Sequence, residues 1–123
     1  MKMLYPNGST KRPKVSSPYG PRGGSIGVSN FHAGTDFIGF ATIKAVADGI
    51  VTYVGWLNNA AGNTIRIDHG GGVRSTYMHN ASHKVKKGQR ITRGQAIAVM
   101  GSTGNATGDC NHLEIRLNGK STD

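Results

Sequence analysis

From Ile43 onward the chain is built of short apolar runs that alternate with polar residues and break at glycine: "GIVTYVGW", "NTIRIDHG", "GVRSTYMHN", "AIAVMG" and "HLEIRLNGK". A period of two, carried by β-branched and aromatic residues, is the pattern of a strand with one buried face. In "TIRIDH" it places Ile65 and Ile67 on one face and Arg66 and Asp68 on the other. In "HLEIRL" it predicts Leu113, Ile115 and Leu117 towards the core, with His112, Glu114 and Arg116 on a wet face. Connections such as "NNAAGN" and "DHGGG" are short, which favours an antiparallel meander. "KVKKGQRITRGQAIAVMG" reads as two turns and a short strand, with Gly88 and Gly94 supplying the bends. No helix longer than a turn or two is predicted. The expected fold is all-β: a twisted antiparallel sheet with a smaller second sheet or half-barrel hairpins.

Length and charge narrow this picture. A chain of 123 residues holds one modest core. Residues 1–17, "MKMLYPNGSTKRPKVSS", lack periodicity and read as an N-terminal arm, lying over the domain or loose, with the domain at 18–123. Fifteen Lys and Arg against six Asp and Glu give a net charge of +9, which attracts a polyanion without naming it. Cys110 is the single cysteine, so no internal disulfide forms and its thiol is free or a ligand. No segment approaches the roughly 20 apolar residues of a membrane span, and the opening carries no run of signal-peptide length.

Chemistry concentrates in five histidines, His32, His69, His79, His83 and His112. In "FHAGTDF" the small residues between His32 and Asp36 let the backbone bend so that both side chains converge. An imidazole and a carboxylate are part of a zinc ligand set, and His112 on its strand supplies a second imidazole. Three protein ligands leave a fourth position open for water, as catalytic zinc requires.

The order "SSPYGPR", "FHAGTDF", "VADGIVTYVG", "GNTIRIDHGGGVRSTYMHN", "VKKGQRITRGQAIAVMGSTGNATG" and "HLEIRLNGK" resembles the lysostaphin-type zinc endopeptidases that cut peptidoglycan peptides. The likeness covers roughly residues 16 to 120, and it rests on the order and spacing of the motifs. It implies short loops forming a groove, zinc held by His32, Asp36 and His112, and His79 of "TYMHN" as a catalytic residue. One departure stands out: where the family shows "HLHFE" this chain has "CNHLE", so Cys110 replaces the first histidine and Asn111 the leucine. Cys110 is expected beside the metal, donating a hydrogen bond or binding zinc as thiolate. His69 is read as a structural hydrogen-bonding residue, His83 as surface, and Arg22 of "YGPRGG" as a groove residue or an exposed turn arginine. Glu114 is expected to support His112 or to form a salt bridge.

These readings imply a zinc-dependent peptidoglycan endopeptidase acting at the bacterial cell wall. It would be drawn by its basic surface to anionic wall polymers, and would be a monomer or part of a larger protein. The missing signal sequence suggests delivery by a phage or by lysis, or a domain of a longer chain; the abrupt "NGKSTD" suggests truncation at the C-terminus. One alternative is a wall-binding or regulatory module of the same fold that has lost turnover, motivated by Cys110. Another is a lipoyl- or biotinyl-type carrier, suggested by the hairpins but lacking a "Met-Lys-Met" or "Asp-Lys" tip. Nucleic-acid binding has only the charge in its favour, since no aromatic and basic strand motif is present.

Overall fold

The computed structural model describes residues 2–21, 31, 32, 34–106 and 108–122, with backbone alone for Pro21, Phe31 and His32. Among the described residues there is no helix. In chain order the strands are β1 (Lys14–Ser17), β2 (Gly20–Pro21), β3 (Phe31–His32), β4 (Thr35–Ile38), β5 (Thr42–Lys44), β6 (Gly49–Trp56) and β7 (Asn63–Gly70). They continue as β8 (Val73–Met78), β9 (Asn80–His83), β10 (Arg90–Ile91), β11 (Ala96–Met100), β12 (Asn111–Leu117) and β13 (Lys120–Thr122).

The large sheet runs β1-β4-β12-β8-β7-β6-β10, with β13 paired to the end of β12, and a smaller sheet runs β5-β11-β9. The pairings are antiparallel, and β2 pairs separately with β3. The expected large sheet with a smaller companion is therefore present. Ile65 and Ile67 are fully buried, while Arg66 between them is exposed. They join Ile43, Val46, Val51, Tyr77, Ile91 and Ile97 in one core shared by both sheets. Each aliphatic side chain of that group contributes about 1.5–3 kcal/mol by leaving water. The two turns expected around Gly88 and Gly94 also form, with positive φ at both glycines.

One sequence expectation needs revision. The face of β12 that bears His112 and Glu114 is not wet: these residues are 9% and 8% exposed, whereas Leu117 on the opposite face is 48% exposed. Polar groups accept burial when they satisfy one another, and this pair does so, as described below. Of the two readings of the arm, the structure takes the first: it lies over the domain. Leu4 N–H donates to the Val46 carbonyl (2.8 Å), Lys44 N–H donates to the Pro6 carbonyl (2.7 Å), and the Tyr5 ring meets Phe37 edge-on. Its last four residues are strand β1, which pairs with β4.

Candidate functional site

The site begins with a register. In the pairing of β12 with β4, His112 lies opposite Asp36, so main-chain hydrogen bonding places on one face two side chains that are far apart in sequence. His112 Nδ1 and Asp36 Oδ1 are 2.6 Å apart. On its other side the ring donates from Nε2 to Glu114 Oε2 at 3.0 Å, and Glu114 Oε1 accepts from Arg116 at 2.9 Å. Burial alone would push the His112 imidazole down. The hydrogen bonds and charges of Asp36 and Glu114 outweigh it and raise the pKa to about 9. Burial likewise works against ionised Glu114, yet His112 and Arg116 hold its carboxyl below the usual range. The result is a buried point where the chain stabilises positive charge.

Gly34 makes this possible by close approach. A Cβ at residue 34 would lie 2.5 Å from the Leu113 carbonyl oxygen and 2.7 Å from His112 Nε2. Gly34 therefore matters because its backbone packs onto β12.

His79 follows β8 in the left-handed region, at φ 67°, a backbone conformation that non-glycine residues seldom adopt and that needs fixing from outside. Three contacts supply the fixing. His79 N–H donates to the Ala61 carbonyl (2.9 Å), its Nδ1–H donates to the Thr103 carbonyl (2.7 Å), and Thr103 Oγ donates to the Asn80 carbonyl (2.9 Å). Because a carbonyl only accepts, Nδ1 carries the proton and Nε2 keeps its lone pair. Burial lowers the pKa of His79, with a smaller contribution from His112, whose ring centroid is 6.0 Å away. The neutral imidazole is thus favoured. Thr103 and Ala61 were not singled out in the sequence.

Both histidines open into a groove of about 670 Å³, whose walls include Asp36, Cys110, Asp109 and the loops around Ala60 and Asn105. Cys110 pairs with Gly101 through its main chain and lines the same groove. Burial first, then the charges of Asp36 and Asp109, push its thiol up to about 11, so it stays protonated near neutrality.

A model of peptidase family M23 matches residues 30–123. The chain belongs to peptidase family M23. This M23 chain is 39% identical over 121 residues to the murein hydrolase activator NlpD of Salmonella typhimurium, covering 92% of this chain and 31% of that protein. Among solved structures, the catalytic domain of the antimicrobial peptidase lysostaphin from Staphylococcus simulans superposes with a TM-score of 0.80 at 31% identity, covering 90% of this chain and 88% of that one. A zinc-containing peptidase from Vibrio cholerae gives 0.81 at 32% identity, with 90% and 35% covered. The chain spans about a quarter to a third of the length of the curated relatives it matches.

Of the three expected metal ligands, the structure brings Asp36 and His112 together. The His32 side chain lies outside the described residues, as does Arg22. Among the described residues no three His, Cys, Asp or Glu side chains form a metal-holding group. The residues present nonetheless fit a cation. Donor atoms that each reach zinc at about 2.0–2.1 Å must converge as Oδ1 and Nδ1 do here. A carboxylate behind the histidine is also the usual means of orienting such a ligand. His69 is the structural residue expected, donating from Nδ1 to the Asp48 carbonyl (2.7 Å) and meeting Ser75 Oγ at Nε2 (2.7 Å). His83 is half-buried, with Nε2 3.4 Å from Asn80 Nδ2.

Proposed function

We propose that this M23 domain is a zinc-dependent endopeptidase of bacterial peptidoglycan, with His32, Asp36 and His112 as metal ligands and His79 and Cys110 as catalytic residues. The observation that carries the reading is the placement of the His79 imidazole, Nε2 unprotonated, in one groove with the converging Asp36 and His112 donors. Zinc held there would act as a Lewis acid towards the scissile carbonyl and lower the pKa of water.

The chain's own residues would do the rest. Glu114 fixes the ring of His112. His79 accepts a proton at Nε2 from the attacking water and returns it to the leaving amine. The neutral thiol of Cys110 offers a weak hydrogen bond to the oxyanion developing on the peptide carbonyl. The open groove suits an extended peptide, and the basic surface suits an anionic wall.

A second reading, a regulatory module without turnover, is favoured by Cys110 at the position of a family histidine and by the likeness to a hydrolase activator. Elemental analysis of the purified chain, paired with release of new amino groups from peptidoglycan fragments, separates the two. The expected result is about one zinc per chain, and hydrolysis that falls at least ~100-fold in His79→Ala and ~10–100-fold in Cys110→Ala. Zinc without hydrolysis, with turnover appearing only in Cys110→His, would establish the regulatory reading. Full zinc occupancy in His32→Ala would overturn the ligand set.

A further inference from the structure

The segment "VKKGQRITRGQAI" is a tandem repeat in three dimensions as well as in sequence. Residues 85–90 and 91–96 each run apolar, two polar, Gly, Gln, and Val85, Ile91 and Ile97 are all buried at a spacing of six. Each turn is closed in the same way. Lys86 N–H donates to Gln89 Oε1 (3.1 Å) and Gln89 N–H to the Lys86 carbonyl (3.1 Å). Thr92 N–H donates to Gln95 Oε1 (3.0 Å) and Gln95 N–H to the Thr92 carbonyl (3.1 Å). Gly88 and Gly94 take matching φ values of 88° and 84°. The apolar positions anchor the repeat, so every outward position is left to polar side chains.

Those positions carry Lys84, Lys86, Lys87, Arg90 and Arg93, all exposed. Among the described residues none of the five has an acidic side chain within ion-pair distance. No residue from 69 to 108 is acidic. The Asp48 carboxylate, which reaches the repeat, is turned to its main chain, accepting the Arg93 N–H at 2.6 Å. The Arg93 guanidinium holds the Lys2 carbonyl at 3.2 Å, drawing one more cation to the second turn. Like charges on adjacent turns repel and oppose the compact state. A partner that supplies the missing negative charge removes that repulsion, and turns already fixed by their glutamines need little ordering to receive it.

We propose that the tandem turns of residues 84–95 are a binding face for a linear polymer of repeating phosphates. Phosphate fits the mixture of lysine point charges and arginine forks. The turns expose no aromatic side chain on which a nucleic-acid base could stack. Their apolar residues are buried, so the face has nothing to insert into a bilayer. The metal-binding groove is lined by other residues, so the face serves attachment and leaves the reaction to the groove. Assigning the polymer to the cell wall rests on the peptidoglycan reading; affinity for phosphate polymer does not.

Long-chain inorganic polyphosphate is the probe, with binding followed across salt concentrations and no turnover required. Lys84→Gln/Lys86→Gln/Lys87→Gln and Lys11→Gln/Lys14→Gln/Lys120→Gln remove equal charge from exposed positions. The first triple is expected to weaken binding at least ~10-fold and to flatten its salt dependence, the second to cost under ~3-fold. Equal losses in the two would show that only net charge matters and overturn the proposal. Tighter binding of an oligothymidylate than of polyphosphate of equal charge would overturn the phosphate-polymer assignment in favour of nucleic acid.

Discussion

Gly34 packs against β12 and Asn111 is the first residue of that strand, and each shows how one residue's environment decides its meaning. Gly34 could be singled out in "FHAGTDF" as a small residue, but its reason for being there, contact with β12 nearly 80 positions later, is a tertiary fact that no local pattern carries. Asn111 is the reverse case. It is fully buried, and neither its Oδ1 nor its Nδ2 has a hydrogen-bond partner among the described residues. A buried amide with no protein partner destabilises the fold. Asn111→Leu, which restores the apolar residue that the resemblance implies at this position, is expected to raise stability by ~1–3 kcal/mol. Denaturant titration of the two proteins checks it, and an unchanged or lower midpoint would show that the site already satisfies the amide.

At the scale of elements, β7 and β8 are tied to the loop before β6 by a polar chain through the core. His69 bridges the Asp48 carbonyl and Ser75 Oγ; Ser75 Oγ lies 2.9 Å from Tyr77 OH, and Tyr77 OH accepts the Val46 N–H at 3.0 Å. Burial pushes the Tyr77 phenol up to about 12, against an ordinary value near 10. An acid whose pKa is higher in the fold than in the unfolded chain contributes fully below pH 10 and loses that contribution as pH rises towards 12. Its loss amounts to ~3 kcal/mol across the window. Stability measured by urea unfolding is therefore expected to fall more steeply between pH 10 and 12 in the wild type than in Tyr77→Phe. The variant is also expected to start ~1–3 kcal/mol lower because Val46 N–H loses its acceptor. Equal slopes would exclude the phenol as the cause. The strands of this region were legible, since their period of two survives intact in "TIRIDH". The polarity of β12 was not, because an alternating pattern shows which residues share a face without showing which face the fold covers. Two carboxylates and a buried imidazole invert the usual rule there.

For the whole molecule, the all-β class, the second sheet, and the meeting of Asp36 with His112 could be anticipated from strand pattern and motif order. For the arm the sequence left docked and loose open, since its attachment relies largely on main-chain hydrogen bonds that any sequence can make. The pairing of β4 with β12 has a kinetic corollary. Asp36 and His112 stand 76 residues apart, so their encounter demands closure of most of the chain, a slow event compared with hairpins such as β6 with β7 or β7 with β8. Local hairpins are expected to assemble first and the Asp36–His112 pair, with the zinc site proposed on it, last. In stopped-flow refolding with a zinc indicator present, removal of zinc from solution should lag the rise of strand signal. Simultaneous appearance of both would mean that β4 and β12 meet before the hairpins are complete. On the proposed ligand set, metal uptake would then be a clock for the end of folding, with the groove left incomplete until β12 is in place.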